Sequence, residues 1–500
     1  MANSPSSADQ EPQSPINNHG IIGDMRSAAL VAETGSIDFF CWPDFDSPSV
    51  FSALLDSVEA GIFQLAPDLP DACRQQIYLP NTNVLRTRWI GKEAVVELTD
   101  LMPIGQHADD LPRVVRRLEV HHGPATIRMH CRVRLDYSRA EMTVGMAGDD
   151  VCFSAPGQPS MRLSATTPLQ VREQAAVAEF VMQPGDIVEF VLGGADDESV
   201  NAGQCPRYVT ETLAFWRQWS SRSNYRGRWQ EMVTRSALAL KLLTSRKHGG
   251  IVAAATFGLP ETLGGERNWD YRYTWIRDAS FTVYAFMRLG YADEANAFMG
   301  WVRERMGDCC EASQKLGILY ALDGREQLPE QALPHLAGYA NSTPVRVGND
   351  AYQQKQLDIY GELMDAVYLA NKYGNAISHD GWQHAIRLVD YVCEHWQETD
   401  VGIWEMRGED RHFLHSRLMA WVALDRALRL SFKRSLPAPL DRWIAARQAI
   451  HDDIWTHFWN ADLGHFVQYQ GGRTVDAAML LMPLMRFVSS SDPRWLATLR

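Results

Sequence analysis

The apolar residues of this 500-residue chain change their period near residue 208, and that change limits the folds open to it. Before it, they recur every second position. Ile127, Met129, Cys131, Val133 and Leu135 alternate with Arg128, His130, Arg132 and Arg134, which predicts a half-buried antiparallel strand with an arginine-rich outer face. His122-Gly123-Pro124 reads as a turn, residues 114–120 as the partner strand, and 94–98 and 187–192 as further strands. After residue 208 the spacing is helical. Phe281, Tyr284, Ala285, Arg288 and Leu289 form one stripe, with Gly290 as its stop. Leu357, Tyr360, Met364, Val367 and Tyr368 form a second, and Leu414, Leu418, Trp421, Asp425 and Leu428 a third. The pattern predicts about nine helices before the C-terminus. A parallel α/β sheet would need a strand–helix alternation that the sequence lacks. The expected organisation is a disordered head (1–20), a β-sandwich (21–207), a helical linker (208–230) and an all-α domain (231–500).

A net charge of −13 argues against nucleic acid and anionic membrane as partners, because both reward a basic face. The first twenty residues contain no apolar core, and no run of eighteen apolar residues occurs, so the expected location is cytoplasmic. The eight cysteines are scattered without a CxxC pair, which signals neither zinc nor a disulfide framework. Adjacent Cys309 and Cys310 are expected as buried or semi-buried thiols. No metal or cofactor is expected.

Chemistry concentrates in two stretches. Residues 266–280 (ERNWDYRYTWIRDAS) interleave aromatics with charges ahead of an apolar helix. Arg277 and Asp278 at that helix start fit either an N-terminal cap with a buried ion pair or a polar-ligand pocket. Tyr271 and Trp275 would supply apolar faces for a sugar ring. Residues 401–410 (VGIWEMRGED) place Glu405 after Trp404 in a Gly-punctuated turn. Burial against Trp404 would raise the pKa of Glu405 toward that of a proton donor, whereas Arg407 nearby would lower it by pairing. His412 and His415 have a metal-like spacing, but structural roles are expected for both. The irregular stretch 323–350 is too long for an ordinary connection and reads as functional.

Four stretches together resemble glycoside hydrolase family 15, the glucoamylase, glucodextranase and trehalase group. They are GSIDFFCWPDFDSPSVFSALLD (35–56), NWDYRYTWIRDASF (268–281), PVRVGNDAYQQKQLDIYGELMDA (344–366) and GIWEMRGEDRHFLHSRLMAWVALDRA (402–427). The resemblance implies an N-terminal β-sandwich and a C-terminal (α/α)6 barrel. It implies inverting, exo-acting hydrolysis of an α-glucoside oligosaccharide or disaccharide, with release of β-glucose. Glucoamylase-like action is the leading expectation, trehalase action the alternative within the family.

By the same resemblance Glu405 is the general acid, Arg277 and Asp278 hold hydroxyls of the terminal sugar, and Tyr271, Trp275 and Trp404 line the substrate. Arg407, Arg346, Asn349 and Asp358 support the pocket. The family's base is a second glutamate in a later motif, and inversion places it about 6.5–9.5 Å from the acid. Glu409 is the last glutamate here, so the chain is expected to be the front part of a longer protein, with an incomplete barrel. Were Arg500 the true end, an inactive glucoside-binding protein would be expected instead. Asp476 and Asp358 are the candidate substitute bases. A phosphorylase would need an anion site, for which Arg346 beside Gly348 is the one hint.

Overall fold

A computed structural model describes residues 13–105, 107, 109–309, 315–374 and 376–500. The Cys309–Cys310 pair lies outside the residues whose side chains are described, as do residues 1–12 of the expected head. The rest of that head is structured: Ile16–Asn18 is a 3-10 turn and His19–Gly23 the first strand.

The chain forms two compact units. The first holds two antiparallel eight-stranded sheets. One runs in the order His19–Gly23, Ala28–Ala32, Ser36–Cys41, Ile62–Pro67, Ala125–Arg132, Ala175–Met182, Gln170–Arg172, with Ser49–Phe51 beside Ser36–Cys41. The other runs Thr143–Ala147, Asp150–Ser154, Met161–Ala165, Ile187–Gly194, Val114–His122, Val95–Leu101, Leu85–Ile90, Cys73–Tyr78. Their inward residues share one core, in which Val31, Phe63 and Ile127 of the first sheet meet Leu98, Leu118 and Phe190 of the second. Phe63 and Phe190 pack edge to face across it, 6.2 Å between ring centres.

Two expectations about strands need correction. Val114–His122 and Ala125–Arg132 do not pair, although a two-residue link joins them. Gly123 turns the chain from one sheet into the other at φ 61°, and a Cβ there would strike the Glu93 carbonyl. The arginine-rich outer face is also less open than the alternation implied, because Arg132 is buried and pairs with Glu59.

The first unit also contains helices α1 (Cys205–Ser220) and α2 (Gln230–Leu242) and the irregular segments 254–272 and 330–348. A single boundary near residue 231 therefore does not describe the division, since the chain leaves and re-enters this unit. The two segments carry Phe257, Leu333, Leu336, Val345 and Val347 into a second core with Phe39, Leu54, Leu55 and Tyr137.

The second unit is helical. Its main helices are α3 (Ile276–Leu289), α4 (Ala292–Cys309), α5 (Ile359–Tyr373), α6 (His379–His395), α7 (Leu414–Arg434) and α8 (Leu440–His457). α5 packs on α3 and α7, while α6 packs on α4 and α8. Burial follows this split. Every residue of α7 from Leu414 to Leu428 is buried, whereas α6 buries one face through Trp382, Ala385, Leu388, Val389 and Val392. In α3 the expected stripe is not the buried one. Phe281 and Tyr284 are 36% and 42% exposed, and the core face is Ile276, Ala279, Val283, Phe286 and Met287. Gly290 ends the helix in the left-handed region at φ 93°, as expected. No described helix is long and apolar enough to cross a membrane.

Candidate active site

Arg277 is the second residue of α3. Thr274–Trp275, a two-residue strand paired with Leu319–Tyr320, delivers the chain to the helix start in extended conformation. The buried guanidinium gathers four partners, three of them from distant segments. Nη1 donates to Gln356 Oε1 at 2.8 Å and lies 3.6 Å from Asp358 Oδ2. Nη2 donates to Glu405 Oε1 at 3.1 Å, and Nε lies 3.7 Å from Asp278 Oδ2. Burial opposes its charge, but Asp358, Asp278 and Glu405 outweigh that and hold its pKa above the ordinary arginine value.

Glu405 sits in the turn after Asp400 in the left-handed region, φ 53°, an uncommon setting for a residue with a Cβ. The turn is held from one side by Asp400, whose carboxylate accepts from Gly402 N at 3.2 Å and from Leu357 N at 2.8 Å. That second bond fastens the Glu405 turn to the segment carrying Gln356 and Asp358. The Glu405 side chain is 16% exposed. Burial pushes its pKa up to about 7, helped by the negative charges of Asp278 and Asp358 and opposed by Arg277. A carboxyl with that pKa retains a proton near neutrality and has the character of a general acid. Asp278 is also raised, by burial first and by Asp358. Its Oδ2 is buried without a hydrogen-bond partner while the side chain as a whole is 44% exposed. That oxygen is turned toward Arg277, and the exposed part of the Asp278 side chain is what remains open to a ligand.

The expected aromatics behave differently from one another. Trp275 is 1% exposed, with Arg277 5.5 Å from its ring centre, so it supports the guanidinium from beneath and does not form a subsite wall. Trp404 is 50% exposed and therefore does not enclose Glu405, whose carboxylate is turned onto Arg277. Its indole Nε1 donates to Asp476 Oδ2 at 2.8 Å. Tyr271 lies in the first unit, half-buried, with its carbonyl accepting from Ala254 N. Arg407 is exposed on the Glu405 turn, and Arg277 is a cation that reaches Glu405. Asn349 caps the 3-10 turn Asp350–Gln353. Arg346 pairs with Glu330 at 2.7 Å and donates to the Glu266 carbonyl, so its guanidinium is committed within the protein.

One cluster escaped the sequence. His415 Nδ1 faces Asp358 Oδ2 and its Nε2 faces Glu362 Oε1, each at 3.6 Å. All three residues are buried, and these atoms have no hydrogen-bond partner. Among the described residues these are the groups that could converge on a metal ion, with ligand atoms within 4.8 Å of one another. Two features fit a cation poorly. The imidazole turns its two nitrogens toward different carboxylates, and Arg277 already neutralises Asp358. Burial raises Glu362 well above its ordinary value and lowers His415, which favours the uncharged form of both. The packing of α5 on α7 that brings His415 to Asp358 and Glu362 leaves no mark in the sequence. His412 is separate and meets Arg417 Nη2 at 2.8 Å. As substitute bases neither aspartate is well placed: Asp358 is fully buried, and Asp476 accepts bonds from Trp404, Gln468 and the Ala478 amide.

Comparison with known proteins identifies the family. The sequence profile of the family described as Glycosyl hydrolases family 15 matches residues 227–500, and that described as Trehalase-like, N-terminal matches residues 9–216. A trehalase of Thermoplasma volcanium is 32% identical over 489 residues, spanning 97% of this chain and 78% of its own. A trehalase of Mycobacterium tuberculosis is 33% identical over 522 residues, spanning 99% of this chain and 76% of its own. A bacterial glucoamylase solved with acarbose has a TM-score of 0.67 at 11% identity, covering all of this chain and 79% of its own. That likeness is one of fold: a β-sheet domain followed by a helical domain.

Proposed function

The chain belongs to glycoside hydrolase family 15, and from that premise we propose that it is a trehalase, cleaving the α,α-1,1 bond of trehalose with inversion. The observation that carries this reading is the similarity to trehalases along almost the whole chain. It moves the glucoamylase-like reading, favoured by sequence inspection, into second place, because an 11% likeness speaks to fold and not to linkage. We also read the helical unit as part of an (α/α)6 barrel, supported by α3, α5 and α7 packing in succession with α4, α6 and α8 packing in a parallel succession.

In this mechanism Arg277 and Asp278 bind hydroxyls of one glucose, Arg277 through N–H donors and Asp278 through the exposed part of its carboxylate. Glu405, protonated, donates to the glycosidic oxygen as the bond to the anomeric carbon breaks, and the second glucose leaves as a neutral alcohol. Arg277 then faces a Glu405 carboxylate, and its charge stabilises that ion as it forms. Water adds to the opposite face of the anomeric carbon and loses one proton, and one proton returns from solvent to Glu405 before the next turnover, so the cycle balances.

The test is hydrolysis of trehalose, maltose and isomaltose by the full protein. Trehalose should be preferred, and NMR during the first turnovers should show one β-glucose for each α-glucose, since inversion affects one of the two anomeric centres. Glu405→Gln should lower kcat by about 10²–10⁴-fold. Preference for maltose would transfer the assignment to a glucoamylase, and α-glucose alone would exclude inversion.

A further inference from the structure

We propose that Asp476 is a positioning residue that fixes the Trp404 indole as the wall against which the leaving sugar stacks. The inference rests on Glu405 being the acid. A proton donor must reach the glycosidic oxygen, so the leaving sugar lies beside it. Trp404 is its neighbour in the chain and has half of its side chain open to solvent. An exposed tryptophan on a turn would ordinarily sample several rotamers, and ordering it on binding would cost affinity. Here its one polar atom is held by a charged acceptor at 2.8 Å.

The acceptor is itself fixed. Asp476 Oδ2 also accepts from Gln468 Nε2 at 3.0 Å, and Oδ1 accepts from Ala478 N at 2.9 Å. Gln468 is held in turn by its backbone bond to Thr474 O at 2.8 Å. A rigid bracket 72 residues further along the chain thus sets the plane of the ring. The face left open is apolar and broad, which suits the axial C–H surface of a pyranose. Leaving-group recognition would then depend on two segments: the acid's own turn and the 468–478 bracket.

The experiment compares trehalose with α-glucosyl fluoride, whose one-atom leaving group cannot touch a sugar wall. Asp476→Ala and Trp404→Phe, the latter keeping a ring but no N–H, should each lower kcat/KM for trehalose relative to the fluoride by about tenfold, mainly through KM. The double variant should lose no more than the worse single variant, because both remove one interaction. Trp404→Phe leaves the other bonds of Asp476 intact, so it remains informative if Asp476→Ala folds poorly. Equal loss on both substrates, or multiplying losses in the double variant, overturns the proposal. If the wild-type protein prefers maltose, the trehalase reading fails by itself and the same ratio is read with maltose. If Glu405→Gln leaves trehalose turnover intact, the acid assignment fails and this proposal with it.

Discussion

Glu405 is held between opposing influences: burial and two neighbouring carboxylates favour its proton, and Arg277 favours its charge. The balance leaves the pKa at about 7, against 4.5 for a free glutamate. Because the native state holds the proton more tightly than the unfolded chain, stability falls as pH rises from about 4.5 to 7, by on the order of 3 kcal/mol, and stays low above that. Glu405→Gln replaces the ion with a neutral group. It should be more stable than the wild type at pH 8 and nearly equal to it at pH 4, read from denaturant midpoints at both values. An equal difference at the two pH values would contradict the assignment. In the active protein kcat should decline above about pH 7 as the donor ionises. Arg277→Met removes the influence that lowers the pKa, so it should move that alkaline limb upward even as it slows turnover. A glutamate after a tryptophan in a Gly turn was legible in the sequence. The cation that tunes it was not, because Arg277 lies 128 residues away and Arg407 lies two.

The helices α5 and α7 determine where these groups stand. They approach so closely that a Cβ at Gly361 would strike the Met419 carbonyl. Gly361 lies between Asp358 and Glu362, and Met419 follows His415 by one helical turn, so this contact also fixes the buried Asp358–His415–Glu362 cluster. Gly361→Ala should force the helices apart. We expect a loss of about 1–3 kcal/mol in denaturant unfolding and a fall in kcat, since Asp358 also lies 3.6 Å from Arg277. An unchanged melt would show that the helices slide freely. Helical periodicity located α5 and α7, because both are buried on every side over 359–366 and 414–428, so a stripe drawn on any face there meets the core. It failed on α3, where Phe281 and Tyr284 looked like core. The true core face there includes Ala279 and Ser280, small residues that carry little hydrophobic signal. It failed likewise for the strand pair across Gly123, since alternation shows which residues face inward but not which sheet they join.

At the scale of the molecule, the two units interleave along the chain, and this has a consequence for dissecting it. Residues 1–247 contain both sheets and the whole shared core, so they look separable. They lack 254–272 and 330–348, which bring Phe257, Leu333, Leu336, Val345 and Val347 onto Phe39, Leu54, Leu55 and Tyr137. Burying a large apolar side chain is worth about 1.5–3 kcal/mol, so five of them amount to roughly 8–15 kcal/mol, comparable with the entire stability of a typical domain. The missing 254–272 segment also carries Arg272, fully buried against Asp270, which donates to Ser47 O and Tyr137 Oη at 2.6 and 3.1 Å. Periodicity could not reveal this, because the two segments are irregular and no repeat marks them as part of the β unit. A fragment 1–247 should bind a hydrophobic dye, aggregate at micromolar concentration and melt without a sharp transition. Supplying 254–272 and 330–348 through short linkers should restore cooperativity. A fragment 1–247 that melts as sharply as the full protein would show that the second core contributes little. The interleaving would then be a matter of connection rather than of stability.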